Sequence, residues 1–192
     1  ATPESILVND TTVALRGVES RPAASWSCTA SDVLRWCGLA ECAGADTDRI
    51  MLPLRRVRAD TELIHEGQRF DHLYVVGAGS FKSVQIDMDG YEQVLGFAIH
   101  GDALGLEGLF HQRHASSVVA LEDAAVAAIP LRELLGQGCA AMQRLLHHVA
   151  GAELMNRNET HGLMAPAGAE ARIARFLLHI GRRQQALGQS DR

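Results

Sequence analysis

The chain has 192 residues, 47% hydrophobic and 21% charged, with a formal net charge of −5 at pH 7. That length suits one ordinary domain plus a long helix, and the composition is that of a globular protein. The acidic balance runs against direct nucleic-acid contact by these residues; no apolar run is long enough to span a membrane and no secretory pattern opens the chain, so a cytoplasmic location is expected.

Residues 1–25, with Pro3, Pro22 and scattered Ser and Thr, read as a flexible arm. Residues 26–50 form a cysteine-containing segment with Trp26, Cys28, Cys37 and Cys42; the fourth cysteine, Cys139, lies far along the chain. In a reducing compartment such a cluster is metal-binding, redox-active or inert, not a disulfide frame. A short helix is expected over 32–36, capped by Ser31 and stopped by Gly38.

Residues 51–135 read as β structure. Glycines punctuate short strands; 73–76 is an apolar run, 80–87 alternates, and Asp89-Gly90 marks a hairpin turn in which both residues tolerate positive φ. A strand follows over 91–99, then a loop, then a pair over 116–121 and 124–129. Many short strands with close turns imply a double-stranded β-helix of the jelly-roll kind, mainly β with helices after it.

Residues 131–187 switch to helical composition, with 136–165 as the segment of one long helix. After a short helix over 131–135, a long one is expected from about 140 to 164. On a heptad frame Met142, Leu145, Val149, Ala152, Asn156, Glu159 and Leu163 fall on the a and d positions. The six other than Glu159 are the expected dimer interface, with Asn156 fixing register and a two-chain state. Residues 166–192 hold a last helix, carrying Ile173, Phe176, Leu177 and Ile180 on one face.

Three stretches together resemble the CRP/FNR family of transcription regulators: Gly101-Asp102-Ala103-Leu104-Gly105-Leu106-Glu107-Gly108-Leu109-Phe110, residues 62–82 with their Glu66-Gly67 pair and Gly77-x-Gly79 ending, and residues 170–183. The loop over 101–122 and the joint over 127–135 place the chain nearest the family's FNR branch. The resemblance implies a cyclic-nucleotide-binding-type β-roll followed by a dimerisation helix. It further implies a homodimer with an effector-sensing role, redox or oxygen related, and RNA polymerase as a partner. DNA contact would belong to a winged helix-turn-helix that follows the last helix in the family and has no counterpart in these residues. The rival reading is a stand-alone small-molecule- or metal-binding roll without a transcription role.

By resemblance, the effector pocket would draw on Gly101, Asp102, Gly105, Arg113, His114 and Ser116. Cyclic nucleotide is not the expected effector. The positions that hold ribose and phosphate in nucleotide-binding relatives match Leu106 and Ala115, which offer neither an acceptor nor a cation. The FNR branch implies an iron–sulfur cluster held by four thiolates. Counting that branch's spacing from Cys28 puts Ser31 in second place, Cys37 in third, and Ala127 or Ala128 at the distant position. An irregular metal set of Cys28, Cys37 and Cys42, completed by His65, His72 or a small thiol, stays open beside ordinary thiols, a redox pair, zinc, or haem on one histidine. Cys139 at a helix start reads as a packing residue. His147 and His148 point apart on a helix and read as solvated surface, as do Arg172, Arg175, Arg182 and Arg183. No G-x-S-x-G, P-loop or H-E-x-x-H is present, and a cupin-like histidine set is lacking, so no enzyme is expected.

Overall fold

A computed structural model describes residues 26–136, 139–163 and 168–186. The expectations for the N-terminal arm and for the end of the long helix at about 164 lie outside those residues. In chain order the elements are β1 (Ser27–Thr29), α1 (Ala30–Trp36), a 3-10 turn (Ala40–Cys42), α2 (Ala45–Asp48), β2 (Met51–Val57), β3 (Glu62–Ile64), β4 (His72–Ala78), β5 (Phe81–Ile86), β6 (Glu92–Ala98), β7 (Ala103–Leu104), α3 (Gly108–His111), β8 (Ser117–Ala120), β9 (Ala124–Pro130), α4 (Leu131–Leu135), α5 (Ala140–Leu163) and α6 (Ala169–Ala186).

The strands form two antiparallel sheets, ordered β1-β2-β9-β4-β7 and β3-β8-β5-β6. Strands β4 and β9 sit near the middle of the first sheet and are buried on both faces. Tyr74, Val76, Val126 and Ala128 point between the sheets, toward Phe81, Val118 and Ile64. Leu73, Val75, Ala127 and Ile129 point the other way, toward Val33 and Leu34 of α1 and Met142, Leu145 and Val149 of α5. A strand covered on both faces loses the apolar–polar alternation, which is why 73–76 and 124–129 read as continuous apolar runs.

The cysteine-containing segment is not separate from the roll. Its β1 pairs with β2, with Cys28 opposite Leu52, and α1 covers the sheet. The helix cap is Thr29, not Ser31. Thr29 and Asp32 form a capping box: the Thr29 Oγ1 accepts from the Asp32 N–H at 3.1 Å, and an Asp32 carboxylate oxygen accepts from the Thr29 N–H at 2.9 Å. Those bonds from Thr29 hold the Asp32 carboxyl below its ordinary value. Ser31 is one residue inside the helix and fully buried, with its hydroxyl 2.7 Å from that of Thr47. Gly38 stops the helix as expected, at φ +78°.

At the β5–β6 hairpin only Gly90 takes positive φ. Asp87, rather than Asp89, organises the turn, its carboxylate accepting from the N–H groups of Asp89 and Tyr91 at 3.0 and 2.9 Å.

Candidate functional site

The loop that carries the family-like glycines runs over residues 101–117 and is built around one side chain. His114 is 4% exposed and lies edge-on to Phe70, with ring centroids 5.4 Å apart. Its backbone is clamped on both sides: the His114 N–H donates to Gln68 O, and its carbonyl accepts from the Gly67 N–H, each at 2.8 Å. A Cβ on Gly105 would stand 2.6 Å from His114 Cε1 and 2.8 Å from Ile64 Cδ1, and one on Gly108 would stand 2.8 Å from Phe70 Cδ2. The two glycines thus let the backbone close over the imidazole. Inside, His114 Nδ1 faces Glu107 Oε1 at 3.5 Å, and neither atom has a hydrogen-bond partner. This pairing of an acid and an imidazole is not visible from motif spacing, because a loop and a small helix separate the two.

The six residues expected to form an effector pocket do not converge on one cavity. His114 points inward. Arg113 is exposed and donates to Gly67 O at 2.7 Å. Ser116 is buried at the start of the β8 region. Asp102 faces α6, where its carboxylate accepts from Arg183. Gly101 and Asp102 line a cleft whose far wall is α5, at His148, Val149, Ala152, Glu153 and Asn156. Leu106 packs against the core and Ala115 is exposed, so neither position supplies a ribose acceptor or a cation for phosphate.

The thiols do not form a ligand set. Cys28 and Cys37 are 8% and 6% exposed and belong to the hydrophobic core. Burial, helped by the nearby Asp32 charge, pushes the Cys28 thiol up to about 11. Burial and then Asp102 push Cys37 up to about 12. Metal ligation requires thiolate, which these sites disfavour. The Cys37 thiol donates to Gly101 O at 3.4 Å, while the half-buried Cys42 accepts from an Arg144 N–H at 3.5 Å. Of the other positions that a four-thiolate cluster would need, Ser31 is bonded to Thr47 and Ala127 is fully buried between sheet and helices. His65 pairs with Glu62 and His72 stacks on Tyr74. Among the described residues no group of three or more His, Cys, Asp or Glu is placed to hold a metal. The residues present do not fit the cluster.

A direct check is thiol labelling. In the folded protein iodoacetamide is expected to modify Cys42 and Cys139, which are part-exposed, and to reach Cys28 and Cys37 only after denaturation. Mass spectrometry showing rapid modification of Cys37 in the native state would contradict this burial.

The expected dimer seam needs correcting. Met142 and Leu145 are fully buried and Val149 is 4% exposed, all three inside the chain's own core. A side chain with no free surface has none to offer a second copy. Their a/d spacing is the apolar stripe that seats α5 on the sheet. Ala152 is exposed and Asn156 half-buried, both beside the cleft; the Leu163 side chain lies outside the described residues. Farther along α5, Leu154 and Met155 are 63% and 65% exposed. No helix among the described residues is long and apolar enough to cross a membrane.

A family profile described as "Cyclic nucleotide-binding domain" matches residues 54–137. The chain is 32% identical over 149 residues to "Transcriptional regulatory protein btr" of Bordetella pertussis, covering 75% of this chain and 60% of that one. It is 29% identical over 148 residues to the "Anaerobic regulatory protein" of Pasteurella multocida, covering 76% and 54%. It therefore spans under two thirds of the length of these relatives. Among solved structures it resembles FixK2 from Bradyrhizobium japonicum, with a TM-score of 0.60 at 26% identity over 68% of this chain and 66% of that one. It shares the fold of TTHA1359, described as a CRP/FNR-family transcriptional regulator, from Thermus thermophilus, with a TM-score of 0.56 at 20% identity over 67% and 64%. The two relatives are regulatory proteins by name, in agreement with the expectation that the chain is no enzyme.

Proposed function

Because this chain belongs to the CRP/FNR family, we propose that it is the sensory and dimerisation module of a transcription regulator, with DNA contacted by a part of the protein outside these residues. The genes it controls are tied to oxygen supply or redox state, a reading that rests on the likeness to the anaerobic regulatory protein. The signal is neither a cyclic nucleotide held through Leu106 and Ala115 nor a four-thiolate cluster. Both readings lack their ligands, whereas the roll that would have carried them is intact.

The observation that carries the proposal is the division of labour along α5. Its first turns are locked into the core through Met142, Leu145 and Val149. Beyond them the helix presents Leu154 and Met155 to the outside. A helix rooted in the sensor that exposes two large apolar side chains beyond it is suited to join two sensors and to pass on changes in the roll. RNA polymerase, the partner the family resemblance implies, would then be met by the DNA-bound dimer.

The dimer is expected to form through the free portion of α5. Leu154→Asp with Met155→Asp places two charges there without touching the core. In sedimentation velocity, the double variant is expected to run as a monomer at concentrations where the parent is a dimer, with far-UV circular dichroism unchanged. A parent that is monomeric throughout would remove this part of the proposal.

A further inference from the structure

Asp102 sits at the bend between β6 and β7, where the glycine-bearing loop begins, and the bend is fixed from several sides. The Asp102 carboxylate accepts from the Ile99 N–H at 2.8 Å. Val76 of β4 exchanges two backbone bonds with the bend, donating to Asp102 O and accepting from the Gly101 N–H, each at 2.9 Å. The Cys37 thiol donates to Gly101 O from the end of α1. A carboxylate held this firmly has a defined direction, and it is aimed at α6.

The partner there is Arg183, and each side chain of the pair is 17% exposed. Two helical turns earlier, on the same face of α6, Phe176 lies against Phe97 of β6 with ring centroids 5.2 Å apart. Phe176, Ile180 and Arg183 are half-buried, while Ile173, Leu177 and Leu178 are 59–63% exposed. The face that sequence periodicity marked as apolar is therefore only partly used. A ring contact and a charge pair tie this face of the helix to the roll, while Ile173, Leu177 and Leu178 leave apolar surface exposed.

We propose that the Asp102–Arg183 pair is a releasable latch that holds α6 against the roll, so that displacing the loop over residues 101–108 frees the helix. The inference rests on the regulatory reading above and names the contact through which the loop would act on α6. Removing the loop from its seat swings the Asp102 carboxylate away from Arg183, and that charge pair is lost. A part-buried ion pair behaves unlike a surface pair, since losing one partner leaves the other desolvated and uncompensated. The surroundings sharpen this. Burial pushes the Asp102 carboxyl up, Glu153 of α5 adds to that push, and the Arg183 charge is the largest influence opposing it. Glu153 is itself engaged by Arg157 at 2.8 Å. An element that leaves this much apolar side-chain surface exposed belongs to the low-stability end of a fold, where signals act.

Hydrogen exchange by mass spectrometry on the whole protein tests the latch. In Arg183→Gln, amide exchange over residues 168–186 is expected to rise about tenfold, with β4 and β9 unchanged. Asp102→Asn keeps an acceptor for Ile99 and is expected to give the same rise. The double variant should exchange no faster than either single one, because all three lack the same pair. Arg183→Lys should keep part of the protection. Unchanged exchange of α6 in Arg183→Gln would overturn the latch, as would additive effects in the double variant. Should Asp102→Asn loosen the roll as a whole, Arg183→Gln decides. These outcomes are separable from the regulatory reading. Exchange that does not move while the oxygen-dependent transcripts still depend on the protein sinks the latch alone, and the reverse result sinks only the regulatory role.

Discussion

Replacing Leu145 with alanine is expected to lower the stability of the folded chain by about 3 kcal/mol, within the roughly 2–5 kcal/mol range for buried leucines. The side chain is fully buried among Leu73, Val75, Ile129 and the apolar residues of α1. Its loss removes transfer energy and leaves a cavity between sheet and helix that the sheet cannot collapse to fill. Against a total stability of roughly 5–15 kcal/mol the change is large. The denaturation midpoint of Leu145→Ala should fall steeply while the slope of the transition stays the same. The outcome separates two accounts of one heptad position. A residue on a dimer seam would lose stability in a concentration-dependent way; a residue in the chain's own core loses the same amount at every concentration.

Gly105→Ala is expected to cost about 2–5 kcal/mol, from two sources that add. The residue has φ +80°, where a Cβ costs roughly 1–2 kcal/mol. The new methyl would also press on His114 Cε1 at 2.6 Å and Ile64 Cδ1 at 2.8 Å, and overpacking of a filled site costs roughly 1–3 kcal/mol. The second part can be isolated. In a His114→Ala background the collision with the imidazole is gone, so the cost of Gly105→Ala should drop, leaving the backbone share and the contact with Ile64. An equal cost in both backgrounds would mean that the loop is not built around His114. The glycines therefore serve the loop's own interior, and their presence does not by itself mark a nucleotide site.

Much of this fold was legible in the residues. The alternation of Phe81, Val84 and Ile86, the Gly90 turn and the apolar runs of β4 and β9 each carry a period or a turn signal set by local geometry. The start of the long helix, at Ala140, was legible because composition changes abruptly after the glycines near 136, while its expected end at about 164 lies outside the described residues. What periodicity does not carry is the identity of the surface that covers a stripe. Met142, Leu145 and Val149 have the spacing of a coiled-coil seam, yet a sheet of the same chain covers them, and nothing local distinguishes the two. The cap of α1 was misplaced for a smaller reason: Ser31 and Thr29 are both acceptable caps, and only the Thr29–Asp32 spacing completes a box.

The site was less legible because its contacts are long-range. Leu106, Ala115, Ser31 and Ala127 could be read as missing ligands from motif spacing alone. The Glu107–His114 pair and the Asp102–Arg183 pair join residues that only the folded roll brings together. Cys37 shows the same limit: as a sequence feature it is a candidate ligand, and in the fold it is a core residue whose thiol tethers Gly101. Chemistry that depends on burial is set by the fold, not by the motif.

The central claim, that this is the sensory module of a regulator of oxygen-linked genes, is tested most directly by transcript profiling of a strain lacking the gene and of its parent, each grown with and without oxygen. The account predicts a set of transcripts that responds to oxygen in the parent, loses the response in the deletion strain, and regains it when the gene is restored. Identical profiles in the two strains under both conditions would contradict it.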